Sequence, residues 1–258
     1  MENNNNNYNH RNSCIIIMAG GLGKRMNSEL PKVLHKVKNK PMLIHILETS
    51  LTLNVHKIAI VVGKFYTIIK DTIAQYINKE IIDSKIQFIL QNEPLGTGHA
   101  ILCCKKFLSK TPEYISNVCI LSGDVPLITC STIDNLLNNT KYCKILIANL
   151  TTPYGYGRIK TKSNKIIKII EEKDCSNDEK KISFVNTGIY SFNIKVLLHY
   201  IDKLTNNNNQ KEYYLTQIFE LIANDDIEIH YNLIKDSKEI SGINTPEQLL
   251  ILENYIKQ

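Results

Sequence analysis

The chain has 258 residues, 43% of them hydrophobic and 22% charged, with no Trp, seven Cys and a formal net charge of +6. It is too apolar for a disordered chain, and no run approaches the roughly 18 to 20 consecutive apolar residues of a membrane span. The basic residues, 28 Lys and 3 Arg, are scattered, so the charge points no more to nucleic acid than to small anionic substrates.

Met1 to Asn12 is polar and Asn-rich and lacks the apolar run and small-residue cleavage site of a secretory leader; it reads as a disordered tail. From residue 13 to 258 the pattern is that of a single domain. Cys14 to Met18 is a β-branched run, read as a buried strand, and the Gly-rich loop Ala19 to Arg25 follows it. Pro41 opens an apolar helical stretch to Leu53. Strands follow at Ile58–Val62, Ile86–Leu90 and Val118–Leu121, alternating with helices at Tyr66–Ile77 and Thr97–Leu108. Such alternation implies an α/β fold, a mostly parallel central sheet with helices on both faces. The second half reads as strands at Ile145–Leu150, Arg158–Lys162, Lys165–Glu171 and Phe184–Phe192, with Ser163-Asn164 as a turn. Helices are expected at Tyr213–Ala223 and Pro246–Ile256, and a solvated loop at Asn206–Asn209. The seven cysteines contain no C-x-x-C pair and sit mostly among Ile, Leu and Val; they read as buried free thiols of a reducing compartment, the cytoplasm.

Several segments carry chemistry. Met18-Ala19-Gly20-Gly21-Leu22-Gly23-Lys24-Arg25-Met26 follows the first strand directly. Its bare backbone can approach phosphates closely, and its cations add charge-assisted donors. It fits neither the Walker A spacing nor G-x-G-x-x-G, and by itself it is equally a strand-to-helix turn. Lys32, in Leu30-Pro31-Lys32-Val33-Leu34, is either a second cation for a polyphosphate or a solvated surface Lys. Gln91, Gly96 and Thr97 lie between a strand and a helix, where an amide and a close backbone could read a base edge such as the imide of uracil. His99 is read as packing or capping the helix start. Asp124 follows Gly123 at the carboxyl end of a strand, where open parallel sheets bind ligands. It is either a Mg²⁺ ligand or a turn cap. In the second half Gly157, Glu171, Asn186 and Asn244 offer amides, backbone and a carboxylate suited to a sugar, with a surface Glu171–Lys173 ion pair and a turn at Asn186–Gly188 as the plainer readings.

In this order the segments resemble the N-terminal uridyltransferase domain of the bacterial bifunctional N-acetylglucosamine-1-phosphate uridyltransferases, the UDP-N-acetylglucosamine pyrophosphorylases. The family pattern runs L-A-A-G-x-G-T-R-M, L-P-K-V-L-H, Q-x-x-x-L-G-T-G-H-A, G-D-x-P-L-I, G-Y-G-R-I, E-x-K-D, N-T-G, N-x-Q-x-E-Y-Y-x-T-D and G-x-N. Here it reads MAGGLGKRM, LPKVLH, QNEPLGTGHA, GDVPLI, GYGRI, EEKD, NTG, NNQKEYYLTQ and GIN, over about residues 14 to 256. The resemblance implies a Rossmann-like nucleotidyltransferase fold with a nucleotide-binding half at about 13–130. A smaller, β-rich sugar-binding lobe would occupy about 131–258. It implies transfer of a uridylyl group from UTP to N-acetylglucosamine 1-phosphate. Met18, Ala19, Gly20 and Gly21 match the nucleotide loop; Gln91, Gly96 and Thr97 match the uracil readers. Arg25 and Lys32 match the catalytic cations. Gly123, Gly157, Glu171 and Asn186 match the sugar side, and Asp124 and Asn244 the Mg²⁺ ligands. Departures are Gly20 for the second Ala, Lys24 for Thr, Ser122 for a Tyr and Gln217 for the Asp. No acetyltransferase domain is expected, no nucleic-acid or membrane partner is implied, and the oligomeric state stays open. The alternatives are a related enzyme taking glucose 1-phosphate or another nucleotide, or a non-catalytic sugar-nucleotide-binding regulatory subunit.

Overall fold

The computed structural model of the chain describes residues 8–21, 23–26 and 28–256. Strand β1 (Ser13–Met18) is the first β-branched run, and Cys14 to Ile17 are fully buried. Each such Ile contributes roughly 1.5–3 kcal/mol relative to exposure. A strand buried on both faces needs neighbours along both edges and layers on both sides. After a short hairpin, β2 (Lys36–Val37) and β3 (Lys40–Pro41), helix α1 (Met42–Thr52) leads to β4 (Lys57–Val62). β4 pairs in parallel with β1. Helices α2 (Tyr66–Tyr76) and α3 (Lys79–Lys85) then lead to β5 (Ile86–Leu90), parallel to β4. Helices α4 (Thr97–Cys103) and α5 (Lys105–Ser109) precede β6 (Asn117–Ser122), which pairs in parallel with the other edge of β1.

Beyond β6 the pairing turns antiparallel. Helix α6 (Cys130–Leu137) leads to β7 (Cys143–Asn149). The hairpin of β8 (Gly157–Lys162) and β9 (Lys165–Ile170) turns at Ser163 and Asn164, with φ of 48° and 62°. Two successive positive φ values suit the twist of a two-residue hairpin. β10 (Phe184–Asn193) runs antiparallel to both β6 and β7, and β8 branches from it. Helices α7 (Ile194–Ile201) and α8 (Gln217–Asn224) precede β11 (His230–Leu233), parallel to β7 at the sheet edge, and α9 (Pro246–Ile256) follows. The β-rich second half is therefore a continuation and a branch of one nine-stranded sheet.

The period-2 alternation of β1 sorts its side chains into two cores. Ile15 and Ile17 pack with α1, α2 and α6; Cys14 and Ile16 pack with α4, α5, α7 and α8. Helices thus cover both faces. Among the described residues no helix is long and apolar enough to cross a membrane.

Several boundaries differ from those expected. Residues 1–7 lie outside the described residues, but residues 8–12, expected in the tail, pack on the body. His10 is buried, its ring Nε2 lies 2.7 Å from Asp134 Oδ1, and its N–H donates to Leu53 O. The helix expected at Thr97–Leu108 is two helices that meet at Cys104. The helix expected from Tyr213 starts only at Gln217, because the backbone before it is committed elsewhere. Tyr213 N donates to Leu95 O, Gly98 N to Tyr213 O and Leu215 N to Thr97 Oγ1. α3, α6, α7 and β11 were not expected. α7 opens with the β-branched Ile-Lys-Val directly after a strand; its visible start signal is Asn193, whose side chain accepts from Lys195 N and Val196 N.

Candidate active site

The carboxyl ends of β1, β4, β5 and β6 lie side by side, and the loops leaving them form the site. Ala19 N donates to Val61 O, and Gln91 N to Val62 O, so the Gly-rich loop and the Gln91 loop are fastened to the end of β4. Gly23 has φ +61°, and a Cβ there would stand 2.7 Å from Lys32 Cβ. Its bareness lets the Lys32 stem pass beneath the loop. Gly96 has φ +111°, and a Cβ there would meet Tyr213 O at 2.6 Å. That close approach clamps the Gln91–Gly98 loop to the segment around Tyr213.

Two cavities open here. A cleft of about 670 Å³ is lined by Met18, by Gly20 and Gly21 of the Gly-rich loop, by the cations Arg25 and Lys32, and by Asp124. Gln91, Gly96 and Thr97 form its other wall. A smaller cavity of about 220 Å³ is lined by Gly157, Glu171 and Asn186. Both cavities share Met18, Thr97 and Ser122, which mark their junction. Ala19 is buried beneath the loop and lines neither cavity. Gly123 also lies behind the wall, its N–H donating to Met18 O at 2.9 Å. The side chain of Lys24 lies outside the described residues.

The charged centre is compact. Lys32 Nζ donates to Asp124 Oδ2 at 2.5 Å and to Asn244 Oδ1 at 3.0 Å. Arg25 Nη2 reaches the same Asn244 oxygen at 2.9 Å. Ser122 Oγ donates to Asp124 Oδ1 at 2.5 Å. Asp124 is buried, and the Lys32 side chain is only 17% exposed, so this Lys is not a solvated surface group. Asn244 is brought over by its own loop, where Ile243 N donates to Asp124 O and Gln248 Oε1 accepts from Asn244 N.

The Gln91 amide is oriented by its neighbours. Nε2 lies 3.1 Å from Gly96 O and 3.2 Å from His99 Nδ1. With its hydrogens so used, Oε1 is the free end, an acceptor beside Gly20. His99 therefore supports the amide from the first turn of α4.

On the other side, Thr216 Oγ1 donates to Glu171 Oε1 at 2.7 Å. Burial pushes the Glu171 carboxyl above its usual pKa; the Thr216 bond opposes this, and the charges of Asp174 and Glu212 add to it. Glu171 does not pair with Lys173, whose Nζ donates to Gln210 Oε1 instead. Asn186 Nδ2 donates to Tyr190 Oη at 2.8 Å, and its Oδ1 accepts from Gly188 N. Arg158 is fully buried, ion-paired with Glu172 at 2.7 Å and bonded to the carbonyls of Tyr156 and Lys180. Glu172 Oε2 in turn accepts from Gly155 N, so the pair sets the wall of this cavity. Burial, then the Asp124 charge, raises the Tyr156 hydroxyl pKa.

Sequence reasoning assigned no role to Gln210 and Glu212, which line the cleft, or to Tyr156 and Thr216, which line the smaller cavity. All four fall inside or beside the motifs quoted above, but no spacing rule marks their side chains.

Asp124 and Asn244 can hold a hard cation. Their oxygens already converge on one positive atom, and a single carboxylate with an amide oxygen suits an ion that takes its remaining ligands from phosphates and water. No group of three or more His, Cys, Asp or Glu able to hold a metal occurs among the described residues.

Comparison with known proteins agrees with this architecture. The chain is 45% identical over 252 residues to the "Probable UDP-N-acetylglucosamine pyrophosphorylase" of Acanthamoeba polyphaga mimivirus, covering 94% of this chain and 96% of that one. It is 38% identical over 248 residues to the "Bifunctional protein GlmU" of Clostridium botulinum (strain Eklund 17B / Type B), covering 95% of this chain and 52% of that protein. The chain thus spans about half the length of the bifunctional relatives. A solved UDP-glucose pyrophosphorylase complexed with UDP-glucose shares the fold, with a TM-score of 0.75 at 16% identity, covering 95% of this chain and 99% of that one. The nucleotidyl transferase family model matches residues 14–239, and the chain belongs to that family.

Proposed function

We propose that the protein is a UDP-N-acetylglucosamine pyrophosphorylase, joining UTP and N-acetylglucosamine 1-phosphate into UDP-N-acetylglucosamine and pyrophosphate. The observation that carries this reading is the junction of two unlike cavities. A large cationic cleft and a small uncharged-to-acidic cavity meet at Met18, Thr97 and Ser122, with Lys32 and Asp124 beside the junction. That is the layout needed to bring a nucleotide phosphate and a sugar phosphate together. The mimivirus relative, similar along nearly its whole length, supports the choice of substrates.

In this reading a sugar-phosphate oxygen bonds to the α-phosphorus of UTP while the bond from that phosphorus to the α–β bridging oxygen breaks. Pyrophosphate leaves with the electron pair. The attacking oxygen is ionised at neutral pH, so no general base is required. The task is to position two anions and stabilise the leaving charge. Gly20 and Gly21 bring bare backbone to the phosphates, Arg25 holds the departing pyrophosphate, and Lys32 neutralises charge near the attacked phosphorus. Gln91 Oε1, an acceptor, suits the N3–H of uracil and rejects the N3 lone pair of cytosine. Glu171, Asn186 and the backbone at Gly157 receive the amino sugar. Asp124 and Asn244 would hold a Mg²⁺ ion, which when bound would supply charge neutralisation and Lewis acidity. The seven free cysteines suit a reducing cytoplasm.

The test is an assay of pyrophosphate release with Mg²⁺, each nucleoside triphosphate and each common sugar 1-phosphate. The expected outcome is release with UTP and N-acetylglucosamine 1-phosphate well above every other pair. Preference for glucose 1-phosphate would reassign the smaller cavity, and no release with any pair would remove the catalytic reading.

A further inference from the structure

The two oxygens assigned to Mg²⁺ are both turned toward Lys32 Nζ, at 2.5 Å from Asp124 and 3.0 Å from Asn244. Ser122 holds the remaining oxygen of the Asp124 carboxylate, which fixes its orientation. Arg25 adds a second cationic donor to the Asn244 oxygen. An ammonium and a divalent ion cannot use these same lone pairs together, since Mg²⁺ demands its ligands at about 2.0–2.1 Å. Nor can they sit side by side cheaply. The side chains of Lys32 and Asp124 are 17% and 11% exposed, so repulsion between two cations here is weakly screened.

We propose that Lys32 is a tethered counter-ion that competes with the divalent ion for Asp124 and Asn244, and that the nucleotide's polyphosphate relieves the competition. Lys32 lines the same cleft as Gly20, Gly21 and Arg25, so phosphates seated there lie within the swing of its stem. Drawing Lys32 Nζ onto the phosphates frees the Asp124 oxygen, and drawing the Arg25 guanidinium with it frees the Asn244 oxygen. The metal therefore enters with the nucleotide, and metal and nucleotide binding are positively coupled. One side chain then both closes the metal site against stray cations and serves the reaction once the substrate arrives. The inference deepens the proposed function, because it rests on Asp124 and Asn244 being the metal ligands.

The test is a titration of nucleotide-free protein with Mn²⁺ as probe, with free Mn²⁺ read by electron paramagnetic resonance. Removing a cation by Lys32→Gln should tighten Mn²⁺ binding roughly tenfold or more, the scale of a weakly screened ionic contact. Lys36→Gln, an exposed Lys outside the site, should leave it unchanged and so exclude a general field effect. Adding Asp124→Asn to Lys32→Gln should erase the gain. Arg25→Gln should give a smaller gain in the same direction, and it carries the test if Lys32→Gln does not fold. Equal or weaker Mn²⁺ binding in the Lys32 variant, or a gain that survives Asp124→Asn, would overturn the proposal. The titration uses no nucleotide and no sugar, so it can fail while the pyrophosphate assay succeeds, and the reverse.

Discussion

The larger cleft is walled by bare backbone and by an ionic cluster whose members come from separate loops, whereas the smaller cavity is walled by side chains in hydrogen bonds that include no cation. In the cleft, Gly20 and Gly21 expose main chain, and Arg25 and Lys32 bring charge. In the cavity, Glu171 is held by Thr216, and Asn186 by Tyr190 and Gly188. The difference matches two recognition problems. A polyphosphate is bound by field and by close approach, and tolerates rearrangement of its cations. A neutral sugar offers only hydroxyls and an amide, so its site must be pre-oriented. The two regions should therefore fail differently: cleft variants in turnover, cavity variants in stability as well as binding.

The largest effect is expected at the cleft centre. Asp124→Ala removes the carboxylate that Lys32, Ser122 and the metal reading all use. Pyrophosphate release should fall by about a thousandfold or more at every Mg²⁺ concentration, the scale seen when preorganised charge at a reacting phosphate is lost. Turnover near the parent's would take Asp124 out of the site. Thermal stability should change less than turnover, because Lys32 keeps its Asn244 contact and lines the open cleft, into which its ammonium can swing.

The cavity wall should show the opposite signature. Arg158→Ala leaves Glu172 without its counter-ion and opens a void where a fully buried side chain stood. Breaking a buried pair from one side costs about 3–5 kcal/mol of folding stability. Denaturant unfolding measures this directly. A loss under about 1 kcal/mol, the range of exposed pairs, would mean that the pair does not brace the wall.

Much of the cleft was legible in the sequence, and the reason is local. Short β-branched runs ending in Gly, or in Gly-Asp, mark buried parallel strands and their carboxyl ends, and ligands gather there. Residues 13–20, 58–63 and 117–124 all followed that rule, whereas β5 is a partly exposed edge strand with no glycine after it until Gly96. The convergence of Asn244 on Lys32 was not legible from spacing, since nothing local says which loop crosses the sheet; only family resemblance pointed to it. The Ser122 contact to Asp124 was invisible for a different reason. A hydroxyl two residues from a carboxylate meets it only if the intervening Gly123 turns sharply against Met18 O. The segment Tyr213–Thr216 has helical periodicity, yet its backbone groups pair with the 95–98 loop, a tertiary override of local preference. The same override decided Glu171, whose neighbour Lys173 suggests an ion pair that the fold does not make.

A smaller effect tests whether Gln91 reads a base in the cleft. Gln91→Ala removes the acceptor beside Gly20 and leaves Gly96 O and His99 Nδ1 without their donor. The preference for UTP over CTP, taken as a ratio of kcat/KM values, should drop about tenfold, the worth of one well-placed hydrogen bond. If that ratio is unchanged, base selection resides in the backbone of the Gly96 loop rather than in the amide.

The smallest expected effect tests the cavity's electrostatics through pH. Glu171 has its carboxyl raised mainly by burial, so the folded protein binds its proton more tightly than the unfolded chain does. The sign follows from linkage: the group stabilises the fold fully at pH below its unfolded value and loses that contribution as pH rises through the folded value. Glu171→Gln keeps a Thr216 partner and removes the ionisation. The variant and the parent should therefore melt most alike near about pH 3, below the unfolded value, where Glu171 is protonated in both states. As pH rises, the parent comes to carry the cost of ionising a buried carboxyl that the variant lacks, so the variant should melt progressively higher than the parent. The same substitution should raise KM for the sugar phosphate with little change in KM for UTP, because Glu171 lines only the smaller cavity. A melting difference that is flat with pH would show that the Glu171 carboxylate is solvated in the fold, and the contrast between a field-driven cleft and a pre-bonded cavity would lose its acidic member.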